Sequence, residues 1–207
     1  MPNAEGRVLV RLVTGKRNSG ELLKEILAEV LGTGDFSIIR RESGKPVLAP
    51  PWERLQFNLT HTRDVTLFAL AWDARLGIDV EWRGREVNVE PLARRFLSTR
   101  ERQEILAAPD IMERRKRFLR CWTRKEALLK AVGTGLAGGL EKFTVSTGNE
   151  AVIVDCDLDV FGPAENWRLL DLEIGDDYFA SLAVESPKNS DRTPFYTPAA
   201  SCAAQRL

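Results

Sequence analysis

The sequence predicts an α+β fold with antiparallel sheets, in which two halves share one order of elements. Short runs rich in branched and aromatic residues predict strands, and longer runs with apolar residues three and four apart predict helices. After residue 140, strand-like runs alternate with polar turns, which indicates an antiparallel meander. Each half therefore has a leading strand, then a helix, then further strands.

Length and composition favour a soluble, cytoplasmic protein. The chain has 207 residues, 43% of them hydrophobic, and its 30 basic residues balance its 30 acidic residues. A neutral chain is not typical of general nucleic-acid binders. The three cysteines have no metal-type spacing, and neither a signal peptide nor a membrane span is evident. We therefore expect no nucleic-acid partner and no membrane partner.

The first half, residues 1–76, contains one predicted helix. It runs from Gly20 to Leu31, with Ser19 as the expected cap. A turn over residues 41–48 carries the step Gly44-Lys45-Pro46. The predicted strands of this half are 7–13, 36–40, 55–62 and 65–72.

The second half, residues 77–185, contains the longest predicted helix. No proline or glycine occurs from Ile111 to Val132, and Gly133 can end the helix. Ser98 and Glu101 have the spacing of a capping box, which begins a helix before the long one. Residues 186–207 contain three prolines and little periodicity, and this predicts a flexible tail.

Two acidic residues alternate with apolar ones in the predicted strand 76–82. Asp79 and Glu81 point to one face, where their like charges repel unless a cation lies between them. Oxygen ligands without cysteine or histidine suit Mg²⁺. The alternative interpretation is an ordinary exposed strand face.

A third carboxylate falls on the apolar stripe of the long helix. At 3.6 residues per turn, Glu126 shares a face with Ile111, Phe118, Trp122 and Leu129. A carboxylate there is costly unless it is paired. Lys130 lies one turn further on, so the pattern fits either a metal and phosphate site or a simple surface Glu–Lys pair.

His61 is the only histidine of the chain. It lies between Thr60 and Thr62 in a predicted strand. Hydroxyl groups beside an imidazole can bind phosphate, although a lone histidine is more often structural.

These motifs together resemble a known family. The segments FNLTHT at 57–62, GIDVEW at 77–82 and FLRCWTRKEALLKAVGTGL at 118–136 resemble the three motifs of the 4′-phosphopantetheinyl transferases of the surfactin-synthetase-activating type. The step GKP at 44–46 matches a further short motif. The third motif is similar to the branch of the family that carries Trp-x-x-Lys-Glu-Ala.

The resemblance implies a fold, an activity and partners. Such enzymes resemble a pseudo-dimer of two α/β halves with coenzyme A in the cleft between them. They transfer 4′-phosphopantetheine from coenzyme A to a serine of an apo acyl or peptidyl carrier protein, with Mg²⁺ or Mn²⁺, and release 3′,5′-ADP. Because both halves lie in one chain, we expect a monomer.

The resemblance also implies roles for residues. Asp79, Glu81 and Glu126 are expected to bind the metal, and Glu126 also to act as base toward the carrier serine. Lys130 is expected to contact the phosphates and to assist the departure of 3′,5′-ADP.

Further contacts to coenzyme A follow from the same motifs. Lys125, Thr60 and His61 are expected to contact phosphates, and Lys45 to lie near the adenosine 3′-phosphate or base. Arg63 stands where the family has glycine, which can alter the turn at the cleft.

The basic residues that hold the 3′-phosphate in the family have no clear match near the N-terminus, where Lys16 and Arg17 are candidates. Two alternatives therefore stay open. One is a non-catalytic module that binds coenzyme A or a carrier protein, and the other is a magnesium-dependent phosphohydrolase.

Overall fold

The computed structural model describes residues 8–135 and 139–185 with their side chains, and residues 196–198 as backbone. In chain order the elements are β1 (Val8–Thr14), α1 (Ser19–Leu31), β2 (Ile38–Arg40), β3 (Pro46–Leu48), β4 (Leu55–Thr62), β5 (Val65–Trp72), β6 (Leu76–Trp82), α2 (Val89–Phe96), α3 (Thr99–Leu106), α4 (Ile111–Val132), β7 (Phe143–Val145), β8 (Ile153–Cys156), α5 (Leu158–Phe161), β9 (Trp167–Asp171), β10 (Tyr178–Glu185) and β11 (Tyr196–Pro198).

Two sheets form the centre of the protein. One has the strand order β11-β1-β5-β4 and the other the order β6-β10-β9. Neighbouring strands are antiparallel, except that β11 runs parallel to β1. The predicted α+β fold with antiparallel sheets is confirmed.

The two halves have the same topology. In each, the leading strand (β1 or β6) pairs with the last strand (β5 or β10), which pairs in turn with the strand before it (β4 or β9). A helix and a small antiparallel hairpin (β2–β3 or β7–β8) lie between the leading strand and the last two strands. The second half adds α2 and α3 before its main helix.

Three apolar clusters show how these parts pack. The residues of α1 pack on β4 and β5, and those of α4 pack on β6, β9 and β10 together with α2 and α3. Between the two sheets lies a third cluster that includes Val8, Leu67, Ile78, Val80 and Leu182. Burial of apolar surface on both faces of each sheet thus holds the four layers together.

The helices begin and end at residues that cap them. Ser98 and Glu101 form the predicted capping box at α3, and Gly133 ends α4 in the left-handed conformation with φ 85°. The predicted cap of α1 was wrong by one residue. The side chain of Asn18 accepts hydrogen bonds from the backbone N–H groups of Gly20 and Glu21, and Ser19 is already helical.

The predicted tail, residues 186–207, falls mostly outside the described residues. Its one described stretch is β11, whose backbone pairs with β1 in register Val8 with Tyr196. This strand was not predicted. Within the described part of the chain, no helix combines the length and the apolar character needed to cross a membrane.

Helix α4 and strand β6 are in direct backbone contact at Gly77. A Cβ atom at this position would lie 2.2 Å from the carbonyl oxygen of Ala127 and 2.3 Å from the backbone nitrogen of Ala131. No side chain fits at such distances. Gly77 therefore sets how closely the helix approaches the strand.

The hairpin β2–β3 is attached to the end of the same helix by Lys45. Its Nζ donates to the carbonyl oxygens of Lys130 at 2.6 Å, Ala131 at 3.1 Å and Leu76 at 3.2 Å. An ammonium group at a helix C-terminus is favourable for the exposed carbonyls and for the helix dipole. Burial, followed by the charges of Arg41 and Arg75, lowers the pKa of Lys45 to about 8.

We expect Gly77→Ala to displace α4 from β6, because the added methyl group meets helix backbone that cannot rotate away. The free energy of unfolding should fall by about 3 kcal/mol or more. Chemical denaturation measures it, and Gly34→Ala, where no atom lies within 4 Å of the new Cβ, is the matched control. Equal stability of the two variants would contradict the close contact.

We expect Lys45→Met to lower the free energy of unfolding by about 2 kcal/mol, because the carbonyl groups at the end of α4 lose a charged donor. Lys24→Met on the exposed face of α1 is the control. A variant of unchanged stability that has lost coenzyme A binding would instead support the ligand contact expected from the resemblance.

Candidate active site

The candidate site lies where β4 and β6 meet beneath the C-terminal half of α4. Asp79 of β6 is buried, with 6% of its surface exposed, and faces the helix. Its Oδ1 accepts from Lys130 Nζ at 2.6 Å and from Thr60 Oγ1 at 3.1 Å. Alternation along β6 produces this placement, since Ile78 and Val80 point to the other face and into the core.

The second oxygen of Asp79 has no such partner. Oδ2 is buried and makes no hydrogen bond to any described residue. Burial raises the pKa of this carboxyl, and the charge of Lys130 acts in the opposite direction. A buried carboxylate oxygen without a partner is costly, so it marks a position where a bound cation or donor is favourable.

Glu81 and Glu126 face the same space as Asp79. Burial raises the pKa of both, and the negative charge of Asp79 raises each of them further. Glu81 forms an ion pair with Arg85, whereas Glu126 makes no hydrogen bond or ion pair within the described part of the chain. Glu126 is thus the carboxylate that is most free to turn toward a ligand.

The three carboxylates fit a divalent cation by donor type and by their shared unfavourable charge. Even so, among residues 8–135 and 139–185 no three acidic, histidine or cysteine side chains lie close enough together to hold a metal ion as they stand. Asp79, Glu81 and Glu126 do not form such a group as they stand.

A basic pocket lies at the C-terminal end of β4, where His61 directly follows Thr60. Its volume is about 360 Å³, and its lining includes Lys16, Arg17, His61 and Arg63. His61 is exposed, and Arg17 is also paired with Glu25 on the surface of α1 at 2.9 Å. Four basic side chains around one concave surface make a suitable site for an anion.

Arg63 occupies a turn position that usually requires glycine. Its φ of 52° lies in the left-handed region, which costs a non-glycine residue free energy. The guanidinium carbon lies 3.7 Å from the centroid of the Trp82 ring, at the end of β6. This cation–π contact offsets part of the cost and places Arg63 between the two halves.

Asp64 completes the connection at this turn. Its side chain accepts from the hydroxyl of Tyr178 at 2.9 Å, and its carbonyl accepts from Gly15 N at 2.7 Å. The turn between β4 and β5 is therefore fixed to both halves.

Two side chains that were expected to contact coenzyme A are bonded to groups of the protein itself. Lys125 is fully buried, and its Nζ is bonded to Glu101 and to the carbonyl oxygen of Phe143 on the far side of α4. Lys45 directs its Nζ to backbone carbonyls of α4 and β6. Adjacent helix residues point about 100° apart, so Lys125 and Glu126 cannot both face the cleft.

Two other side chains have surroundings that were not predicted. Thr60 donates to Asp79 and so orients a carboxylate. Ile111 is 69% exposed, so the apolar stripe of α4 begins only at Phe118. The pairing of Arg85 with Glu81 was also not predicted. Oppositely charged residues four positions apart are expected to pair within a helix. Glu81 lies in a strand and Arg85 follows that strand, so the spacing did not predict the pair.

Comparisons with known proteins point in one direction. Residues 75–183 match the family described as ACPS, 4′-phosphopantetheinyl transferase superfamily. The 4′-phosphopantetheinyl transferase HetI of Nostoc sp. is 34% identical over 168 residues, which cover 79% of this chain and 67% of the relative. The 4′-phosphopantetheinyl transferase psf-1 of Bacillus pumilus is 36% identical over 130 residues, which cover 59% and 52%.

A solved structure, the holo-[acyl-carrier-protein] synthase (AcpS) of Thermotoga maritima, matches with 28% identity and a TM-score of 0.42. The match covers 56% of this chain and 65% of that one. The chain thus spans between about half and two thirds of the length of these proteins. The segment that matches the family, residues 75–183, includes β6, α4 and the acidic residues Asp79, Glu81 and Glu126. Because this family match covers more than half of the chain, the chain belongs to the 4′-phosphopantetheinyl transferase superfamily.

Proposed function

We propose that this chain transfers the 4′-phosphopantetheine group of coenzyme A to a serine of an apo acyl or peptidyl carrier protein. The observation that carries the proposal is the buried Asp79, whose Oδ1 is paired with Lys130 and whose Oδ2 has no partner, beside the unpaired Glu126. Family membership and this group of charges support phosphoryl transfer, which depends on placing charge around the moving phosphoryl group.

The finer assignments belong to the same proposal. We assign the chain to the surfactin-synthetase-activating type and to its Trp-x-x-Lys-Glu-Ala branch. The shared topology of the two halves supports a pseudo-dimer with coenzyme A between them. The halves are residues 1–76 and 77–185, and the protein acts as a cytoplasmic monomer.

The proposed cofactor is Mg²⁺, with Mn²⁺ as a substitute. Asp79, Glu81 and Glu126 are the residues that would hold it, and the unpartnered Oδ2 of Asp79 is the observation that fits it. When bound, the cation neutralises negative charge on the pyrophosphate of coenzyme A. Hard carboxylate oxygens are the ligands that both metals prefer.

Glu126 is the proposed proton acceptor. The carrier serine oxygen attacks the β-phosphorus, the bond from that phosphorus to the bridging oxygen breaks, and 3′,5′-ADP departs. The serine proton passes to the carboxylate of Glu126. Burial and the neighbouring carboxylates Asp79 and Glu81 raise the pKa of Glu126. A carboxylate is a suitable general base for a hydroxyl proton.

Lys130 holds a position between the acidic group and the incoming phosphates. Its Nζ donates to Asp79 Oδ1 at 2.6 Å and to the carbonyl oxygen of Ile78 at 3.3 Å. The same ammonium can stabilise the oxygen on which charge develops as 3′,5′-ADP leaves.

The basic pocket is the proposed site of the adenosine 3′-phosphate. Lys16, Arg17 and Arg63 supply positive charge there, and His61 supplies a ring N–H donor. In the family, basic residues near the N-terminus hold the 3′-phosphate, and we assign that role to this pocket. The pocket is formed by residues of the first half, whereas Asp79, Glu81 and Glu126 belong to the second half.

A non-catalytic module that binds coenzyme A or a carrier protein is the second candidate. One observation favours it, namely that no ready three-ligand metal group exists among the described side chains. The two candidates differ in whether the carrier protein is covalently changed.

We expect the wild-type protein with coenzyme A and Mg²⁺ to add one phosphopantetheine group to an apo carrier protein, as read by intact-protein mass spectrometry. Chelation of the metal should stop the reaction. Glu126→Gln should lower turnover by a factor of about 10² or more, because the charge and the proton acceptor are lost at constant volume.

Glu141→Gln, at a position exposed to solvent, is the matched control and should retain full turnover. If the wild-type protein binds coenzyme A but leaves a broad panel of carrier proteins unmodified, the binding module replaces the transferase.

We expect Lys16→Ala combined with His61→Ala to weaken coenzyme A binding by about tenfold to a hundredfold, because charged donors to a phosphate are lost. Binding of dephospho-coenzyme A, which lacks the 3′-phosphate, should change little. Calorimetric titration with both compounds measures the difference, and Lys24→Ala is the control. Equal weakening of both compounds would exclude the pocket as the 3′-phosphate site.

A further inference from the structure

Three consecutive residues of α4 are fully buried immediately before Glu126. Thr123, Arg124 and Lys125 each have 0% of their surface exposed, although all are polar. Their polar groups contact α3, the loop after β7, β9 and β10. Charged residues are almost never buried without partners, so this run needs a reason.

Lys125 forms a buried ion pair with Glu101 of α3. Its Nζ lies 2.6 Å and 2.5 Å from the two carboxylate oxygens of Glu101, and it donates to the carbonyl oxygen of Phe143 at 2.6 Å. Glu101 is also fully buried. The ammonium further lies 4.5 Å from the centroid of the Phe143 ring, and so all of its surroundings belong to the second half.

Glu101 is held equally firmly at its other contacts. Its Oε2 accepts from Ser98 N at 2.9 Å, and its Oε1 accepts from Val145 N at 2.7 Å. One carboxylate thus joins the start of α3, strand β7 and the middle of α4. The three elements cannot move independently without breaking a buried charged hydrogen bond.

Arg124 makes a second set of contacts of the same kind. Its guanidinium pairs with Asp171 of β9, with the shortest distance at 2.5 Å, and donates to the carbonyl oxygens of Ser146 at 2.7 Å and Gly148 at 2.9 Å. The rotation of α4 about its own axis is therefore fixed from two directions.

Buried ion pairs contribute little net stability, because the desolvation of both charges offsets their attraction. What they supply is a defined geometry, since few arrangements satisfy every charged group. In α4 the defined geometry matters next to the pair. Glu126 follows Lys125 directly, and Lys130 lies one turn beyond Glu126.

We propose that the Glu101–Lys125 ion pair positions α4 so that Glu126 and Lys130 face Asp79, which makes both members positioning residues. The inference rests on the proposed function and changes the role of Lys125 from a phosphate contact to an anchor. Loss of the pair allows α4 to rotate, and rotation moves Glu126 away from the acidic group while the basic pocket, on the other half, is left intact.

The test begins with Glu101→Gln, which keeps the shape of the side chain and removes its charge. We expect kcat to fall about tenfold and the affinity for Mn²⁺ in the presence of coenzyme A, measured by calorimetry without carrier protein, to fall at least fivefold. Affinity for coenzyme A without metal should fall by less than the affinity for Mn²⁺, because the basic pocket is unchanged and only the contact from Lys130 is displaced. Glu104→Gln on the same helix, whose carboxylate contacts Arg100 and Thr147, is the matched control.

The double variant Glu101→Gln with Lys125→Met separates positioning from stability, because it leaves no charge buried alone. We expect its melting temperature to recover relative to Lys125→Met, while kcat and Mn²⁺ affinity stay low. A folded double variant with wild-type kcat and Mn²⁺ affinity overturns the proposal. Failure of both Glu101→Gln and the double variant to fold also overturns it, since the pair then maintains the fold rather than the direction of the helix.

The two proposals fail in different ways. A wild-type protein that modifies no carrier protein contradicts the proposed function, and the Mn²⁺ titrations of the same variants still decide the role of the pair. A wild-type protein that is active while Glu101→Gln keeps kcat and Mn²⁺ affinity contradicts only the positioning role.

Discussion

The backbone contact between α4 and β6 is the constraint on which the candidate site depends. At Gly77 the helix lies closer to the strand than any side chain would permit, and two residues further along the strand Asp79 meets Lys130 of the same helix. Both contacts fall within one turn of α4. A shift of the helix by the width of a methyl group would therefore separate the ion pair, and with it the part of the site that carries opposite charges.

The charges of the candidate site are unbalanced. Three carboxylates face one space, and within the described residues Lys130 and Arg85 are the cations bonded to them. Burial raises the pKa of each carboxyl, and the charge of Asp79 raises the pKa of Glu81 and of Glu126 further.

Elements with a local signal could be predicted from sequence. The bounds of β4, β5 and β6 follow from alternation and turn residues, and α4 follows from a long stretch without glycine or proline. The contacts of Lys45 and Lys125 could not be predicted. Each bonds to groups distant in sequence, Lys45 to α4 and Lys125 to α3 and β7, and no local pattern records such a partner. For the same reason the pairing of β11 with β1 was missed.

The long helix has two kinds of polar surface with different physical roles. On one side Arg124 and Lys125 are fully buried and have every donor directed at a partner, which is costly to build and leaves one geometry. On the other side Glu126 and Lys130 are partly exposed, and their partners can change when a ligand arrives. A helix held only by apolar packing could rotate by small steps at little cost, because such contacts have no direction. The hydrogen bonds of Arg124 and Lys125 on the buried side do have defined directions. They are therefore the physical means by which Glu126 and Lys130 can stay in place on the other side while they exchange partners.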